Sequence, residues 1–334
     1  MPVGIDPKPN EESMPDLNVG GQAVIEGVMM RSKDKIATAV RIPSGEIVIQ
    51  SEDYRSLASR YKALNIPILR GAVAFVEMLI IGIKTLNFSA DIAVREAEKE
   101  EAAKKGETVS EKKNKQNSLY LGLTAIFALA LGIGVFFLLP LAITNLFDIR
   151  KEAVEFNLIA GAIRLTMFVA YVWIISQFGE FRRIFQYHGA EHKSIYAYEM
   201  GDELIPEKVA HHTRFHPRCG TSFILIVALL AILIYAIADT AYAIYTGHPP
   251  TLLNRFAVHL ALLPIVAGTS FELLKLSGKT RENAITKILI APGLWLQKIT
   301  TKEPSRDQLE VGIAALKAAL GQTESAGASR APVS

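Results

Sequence analysis

The feature that most constrains this chain is an apolar stretch, residues 119–147, which contains no charged side chain. A helix needs about 20 apolar residues to cross the hydrocarbon core of a bilayer, and this stretch is longer. Half of the 334 residues are hydrophobic, and the mean hydropathy is +0.25. Cys219 is the only cysteine, so a secreted domain held together by disulfides is excluded. The sequence therefore predicts a membrane protein.

Three further apolar stretches are long enough to span a bilayer, although each contains ionisable side chains: residues 154–178, 222–245 and 252–274. Lys and Arg are concentrated in the segments between them, with seven in 91–118 and six in 179–221. Such segments stay on the cytoplasmic side of a membrane. We expect a multi-pass protein of the cell membrane with four spans and with both termini in the cytoplasm.

The predicted fold is mainly α: a polytopic helical membrane protein with about four transmembrane helices, interfacial helices and a small cytoplasmic β-containing N-terminal unit. Residues 36–42 and 46–50 predict a hairpin around a turn at 43–45. Residues 66–90 are apolar but interrupted by charges, and a crossing there would place many basic residues outside. We therefore expect an interfacial or re-entrant helix, and a second interfacial helix at 286–297.

Near the end of the chain, Ser305 and Gln308 form a capping-box pattern ahead of an amphipathic helix. These features divide the chain as follows: 1–17 a disordered leader without a signal peptide, 18–65 the β-containing unit, 66–90 the interfacial or re-entrant helix, 91–118 a charged linker, 119–178 transmembrane helices 1 and 2, 179–221 a cytoplasmic loop, 222–274 transmembrane helices 3 and 4, 275–321 interfacial and amphipathic helices, and 322–334 a disordered tail.

Six ionisable residues fall within the predicted spans: Glu155, Arg164, Asp239, Arg255, His259 and Glu272. Charges there are costly unless they are paired or reach the surface. Arg164 lies in the second span and Asp239 in the third. The pattern allows either an ion pair between the two spans or two side chains that extend separately to the membrane surface.

The strongest chemical signal is the clustering of histidines in the 179–221 loop, which holds five of the seven in the chain and the single cysteine. His188, Glu191 and His192 form an HxxEH pattern, which on a helix places both imidazoles and the carboxylate on one face. In metal hydrolases with this pattern the histidines hold zinc and the glutamate acts as a general base. His216 and Cys219 lie downstream, so these four ligands would form a tetrahedral site.

Three other residues are candidates for additional ligands: His212, Glu272 at the cytoplasmic end of the fourth span, and Glu26 near the N-terminus. Glu272 could equally form an ion pair at the end of a helix. Imidazole and thiolate favour Zn²⁺. Iron is the alternative, because histidine boxes also occur in di-iron membrane oxygenases.

Several segments resemble the YqhQ-like family of bacterial membrane proteins, an uncharacterised family described as predicted metal-dependent enzymes. They are GGQAVIEGVMMR at 20–31, ILRGAVAFVEMLIIGIKTLNFSA at 68–90, YHGAEHKSIYAYE at 187–199, HPRCGTSF at 216–223 and APGLWLQKITTKEP at 291–304. The resemblance implies a polytopic membrane protein with a metal-binding histidine loop. It implies no substrate.

The sequence thus predicts a zinc-dependent membrane hydrolase, with Glu191 as the general base, that acts on a lipid or a membrane-adjacent peptide. The alternative is a non-catalytic membrane scaffold with a structural zinc site, and a di-iron oxygenase ranks below both. Membrane lipids are the expected partners, and a homo-oligomer is compatible with the sequence. The net charge of +3 is too small for a nucleic-acid-binding protein.

Overall fold

A computed structural model describes residues 19–105, 115–147, 154–279 and 283–322. The chain forms a small antiparallel sheet at its N-terminus and is otherwise helical. This architecture confirms the prediction of a mainly helical chain with a small β-containing unit. The predicted leader and nearly all of the predicted tail lie outside the described residues.

The sheet has four strands in the order in which they occur along the chain. They are β1 (Gly20–Val24), β2 (Gly27–Arg31), β3 (Lys35–Arg41) and β4 (Ile47–Asp53). β3 and β4 are the predicted hairpin, and its turn contains Gly45 at φ +91°, a backbone conformation that favours glycine. β1 and β2 form a second hairpin that was not predicted, because its turn at residues 25–26 contains none of the residues typical of turns, although Glu26 takes a positive φ of 52°.

The helices with their bounds are α1 (Leu57–Arg60), α2 (Leu69–Lys105), α3 (Lys115–Ile133), α4 (Leu139–Thr144), α5 (Val154–Ile175), α6 (Gly179–Met200), α7 (Pro206–Val209), α8 (Gly220–Thr246), α9 (Leu252–Lys279), α10 (Ala284–Thr300) and α11 (Arg306–Ala319). A π-helical turn, Gly134–Leu138, joins α3 to α4. The predicted capping box is present at Ser305 and Gln308, where α11 begins.

Four helical segments are long and apolar enough to cross a membrane: Ile126–Thr144, Val154–Ile175, Gly220–Thr246 and Leu252–Leu276. They coincide with the four predicted stretches. Most of their side chains are not buried within the chain, since at most 28% of any segment is covered. Apolar surface on this scale is typical of helices that face lipid.

The sheet lies between helices on its two faces. One face packs against α6 and α11, through a core that includes Val28, Tyr187 and Leu316. The other face packs against α2, where Met29 contacts Ile81. This arrangement brings α6, which carries the HxxEH residues, directly onto the sheet.

α2 is one continuous helix, so it runs through both the expected interfacial helix and the first part of the expected linker. It packs closely on α9, since a Cβ atom added at Gly268 would lie 2.2 Å from the carbonyl oxygen of Ile68. Arg70 and Glu272 form an ion pair at the same junction. The exposed apolar side chains of α2, such as Ile80 and Ile83, face away from this contact.

The structure does not pair Asp239 with Arg164. Asp239 instead contacts Arg255, at 3.2 Å, and His259, at 3.1 Å, both on α9. Arg164 donates a hydrogen bond of 2.8 Å to the carbonyl oxygen of Phe136, in the π-helical turn. That turn could not be inferred from apolar composition alone, so the hydrogen bond between Arg164 and Phe136 was not predictable from the sequence.

Candidate metal centre

His188, His192 and Cys219 meet at one buried point. The two histidines are one turn apart on α6, and Cys219 precedes the first residue of α8. Their potential ligand atoms all lie within 4.8 Å of one another. In the part of the chain that the structure describes, these three residues form the one such group of His, Cys, Asp or Glu side chains. The structure therefore brings together three of the four predicted ligands.

Both imidazoles are oriented by backbone carbonyl groups. Nδ1 of His188 lies 2.8 Å from the carbonyl oxygen of Thr300, and Nδ1 of His192 lies 2.5 Å from that of Arg214. A carbonyl oxygen only accepts a hydrogen bond, so each Nδ1 carries a hydrogen and Nε2 is the ring nitrogen that can bind a metal. Ligating histidines commonly donate their second N–H in this way. The Nε2 atom of His192 is buried and lies close to Cys219.

Cys219 contacts His188, with its Sγ 3.2 Å from Nε2. Burial alone raises the pKa of the Cys219 thiol, but the positive charges of His192 and His188 hold this pKa well below its usual range. Conversely, burial lowers the pKa of His188, but the Cys219 thiolate raises it to about 9. The Cys219 side chain also accepts from the backbone N–H of Thr221 at the start of α8. The group therefore contains a thiolate, the form of cysteine that binds metals.

Glu191 lies beside this group and is only 4% exposed. Burial raises the pKa of its carboxyl group to about 7, and the positive charges of His188 and His192 oppose that increase. Its Oε2 atom has no hydrogen-bond partner within the described ranges. A carboxylate whose pKa is close to neutral can accept a proton and release it again at physiological pH.

The structure places the remaining histidines of the segment elsewhere. The His216 ring is centred 5.7 Å from that of His192, and its Nε2 faces Glu199 at 3.4 Å. His212 contacts Asp202 near the surface, with Nε2 2.8 Å from Oδ2. His211 is exposed. The closed site with four protein ligands is therefore not assembled, and three ligands come together.

The two candidate glutamates from distant parts of the chain also have other partners. Glu272 is paired with Arg70, as described above. Glu26 pairs with Arg183 and accepts a hydrogen bond of 3.2 Å from the Tyr187 hydroxyl. Neither joins the group around Cys219. Glu26 instead attaches the β1–β2 turn to α6.

Several supporting residues were missed by the sequence reasoning. The side-chain amide of Gln297 on α10 makes two hydrogen bonds of 2.8 Å to the backbone of His216, so it holds the loop that leads to Cys219. Thr300, at the end of the same helix, supplies the carbonyl that orients His188. Both lie in a segment expected only to rest in the membrane interface, and no local pattern indicates a contact with residues about 80 to 110 positions away.

β1 covers Glu191. A Cβ atom added at Gly21 would lie 2.8 Å from Cγ of Glu191 and 2.9 Å from its carboxyl carbon. Only glycine allows the strand to approach the carboxyl group so closely. The double-glycine segment of the N-terminal unit therefore belongs to the surroundings of the site.

Comparison with known proteins gives two matches. Residues 66–322 match a family described as a protein of unknown function, DUF1385. The chain is 36% identical over 305 residues to an uncharacterised protein, YqhQ, of Bacillus subtilis strain 168, a match that covers 88% of this chain and 89% of the relative. No solved structure gives a significant match.

Proposed function

Since the chain belongs to the DUF1385 family, whose activity is unknown, its function must be argued from its site, and we propose that it is a zinc-dependent membrane hydrolase. The substrate would be a lipid or a polypeptide at the cytoplasmic face of the cell membrane. What supports this proposal is one arrangement: His188, His192 and Cys219 converge beside a buried carboxyl group. Three protein ligands leave a fourth tetrahedral position open, as in catalytic zinc sites.

The ligand chemistry suits zinc. Two imidazole nitrogens and one thiolate are borderline and soft donors, and zinc accepts both kinds. The carbonyl groups of Thr300 and Arg214 hold the imidazoles in the tautomer that a metal requires. Bound zinc would supply Lewis acidity, which polarises a carbonyl group and activates water.

Glu191 supplies the proton transfer in this proposal. Its Oε2 atom takes a proton from the attacking water and returns it to the leaving group, which requires a carboxyl group that is ionised but readily protonated. Burial favours the protonated form of this carboxyl group and so promotes its uptake of a proton. Burial also excludes bulk water, so the proton remains within the site.

We also propose that the four apolar helices span the cell membrane and that the site faces the cytoplasm. The excess of Lys and Arg in the segments 91–118 and 179–221 supports this orientation. Cys219 immediately precedes α8, so the metal centre would lie at the membrane surface. Membrane lipids would surround the bundle.

Metal content tests the site. Detergent-purified protein should contain about one zinc per chain by mass spectrometry, as a single three-ligand site requires. A His188→Ala/His192→Ala double variant should lose it, whereas His211→Ala, which alters an exposed histidine, should keep it. A folded wild-type protein without zinc would contradict the proposal, and two irons per chain would favour the oxygenase alternative.

The scaffold alternative rests on a different observation, namely that the three ligands are buried and join α6 to the start of α8. A structural metal would hold these helices together. Removal of zinc by a chelator separates the two functions. Loss of helical structure would favour the scaffold, while an intact fold that rebinds zinc would favour the hydrolase.

A further inference from the structure

We propose that the free edge of β1 binds an extended polypeptide by strand addition and holds it beside the candidate metal centre. This inference rests on the proposed function, because it names the substrate class of the same site. Its evidence comes from the hydrogen bonding of the sheet and from the position of β1 around α6.

The register shows which backbone groups of β1 face outward. The N–H of Arg41 donates to the carbonyl of Glu26 at 2.9 Å, so even-numbered residues of this hairpin arm bond to β3. In an antiparallel sheet the direction alternates along each strand, so odd-numbered residues of β2 bond to β1. Their partners on β1 are Gly20, Gln22 and Val24. The N–H and C=O groups of Gly21 and Ala23 therefore point away from the sheet.

The row of outward-pointing backbone groups on β1 ends where the chain meets α2. The next outward N–H, that of Ile25, donates to the Ser89 hydroxyl at 3.3 Å, which also confirms the alternation. The backbone groups of Gly21 and Ala23 have no partner among the residues that the structure describes. Both residues are partly exposed. An unpaired row of this kind is a ready site for an added strand.

The packing of β1 on α6 places such a strand beside the candidate metal centre. Successive residues of a helix are separated by about 100°. Tyr187 of α6 faces the core beneath the sheet, and Glu191, rotated about 40° from it, faces Gly21 of β1. His188 follows in the same direction, about 60° beyond Glu191. A strand beside the outer edge of β1 would thus lie on the side of α6 that carries Glu191 and His188.

The chemistry of this edge favours a polypeptide over a lipid. Outward N–H and C=O groups at every second residue match the repeat of a peptide backbone, and main-chain hydrogen bonds supply the affinity in strand addition. A lipid has no such repeat.

Ala23→Pro tests the inference, because proline removes the outward N–H of Ala23 while no bond between β1 and β2 is lost. Ala23→Val keeps the N–H and is the matched control. The probe is reduced, carboxymethylated α-lactalbumin labelled with fluorescein, and a Glu191→Gln background prevents its cleavage. Fluorescence anisotropy should show binding about five- to tenfold weaker for Ala23→Pro, the effect of roughly one backbone hydrogen bond.

Amide exchange gives a second measurement. The probe should protect the amides of Gly21 and Ala23 but leave that of Gln22, already paired with β2, unchanged. Equal affinity of Ala23→Pro and Ala23→Val, or no protection at these two amides, would overturn the inference. Hydrolysis of phospholipid vesicles by wild-type protein that does not bind the probe would also overturn it and would identify a lipid substrate.

Failure of this inference can be distinguished from failure of the proposed function. Zinc content is measured on the same samples. Protein that contains zinc but does not bind the probe retains the metal site and loses only strand addition. Protein without zinc whose Gly21 and Ala23 amides are protected loses the hydrolase proposal and keeps the peptide-binding edge.

Discussion

The Glu191 carboxyl group shows how burial tunes a single residue. Removal from water disfavours the charged form, and the neighbouring imidazoles offset this only in part, so the pKa rises from 4.5 to about 7. The folded chain therefore binds this proton more tightly than the unfolded chain. A raised carboxyl pKa makes folding less favourable as the pH increases from about 4.5 through 7.

We predict that the metal-free wild type loses more stability than metal-free Glu191→Gln between pH 5 and pH 8. The shift corresponds to at most about 3 kcal/mol, since each pKa unit is worth about 1.4 kcal/mol. Glutamine cannot ionise, so the difference between the two melting curves isolates this carboxyl group from other titrating groups. Thermal melting of both proteins at both pH values measures this difference. If the two proteins lose the same stability between pH 5 and pH 8, the pKa of Glu191 is not raised by burial.

Helix packing depends on contacts that only small residues permit, and the junction of α2 with α9 illustrates this at the level of elements. Gly268 of α9 lies against the backbone of Ile68, and Gly71 of α2 lies against Phe271. The Arg70–Glu272 ion pair is partly exposed, so it adds little energy to this close approach. Packing, and not charge, is expected to hold the two helices together.

We expect Gly268→Ala to destabilise the protein by about 1–3 kcal/mol, because the new methyl group forces the backbones apart. Gly132→Ala in α3 is the matched control, since a Cβ atom there meets nothing within 4 Å. Alanine is also the better helix former, so the control should melt at the same temperature or higher. Equal melting temperatures of both variants would mean that α2 and α9 are not closely packed.

At the level of the whole molecule, the orientation of the bundle decides which compartment the metal centre faces. The proposed topology places His248, between α8 and α9, outside the cell, and Glu98, near the end of α2, in the cytoplasm. The native Cys219 is only 6% exposed, so the labelling of an introduced, exposed cysteine can be distinguished from the labelling of Cys219.

We predict that His248→Cys reacts with a membrane-impermeant maleimide in intact cells, whereas Glu98→Cys reacts only after the cells are permeabilised. The wild type, with its buried cysteine alone, gives the background in both cases. The opposite pattern would reverse the bundle and place the metal centre outside.

Many of the helices and strands could be predicted from the sequence, because their formation depends on local interactions. Apolar length predicted the four candidate spans, turn chemistry predicted the β3–β4 hairpin, and the Ser305–Gln308 pair predicted the start of α11. The HxxEH spacing placed His188 and His192 on one face of α6, since helical geometry requires it. Each of these features depends on residues close together in the chain.

Only the tertiary structure decided which distant residues complete the site. It brought Cys219 to the two histidines, placed His216 against Glu199, paired Glu272 with Arg70, and laid Gly21 over Glu191. Such contacts depend on how helices and strands pack across the molecule, and the spacing of residues along the chain does not encode them. The proximity of His188 and His192 within one helix could therefore be predicted from the sequence, whereas the choice among several distant candidates could not.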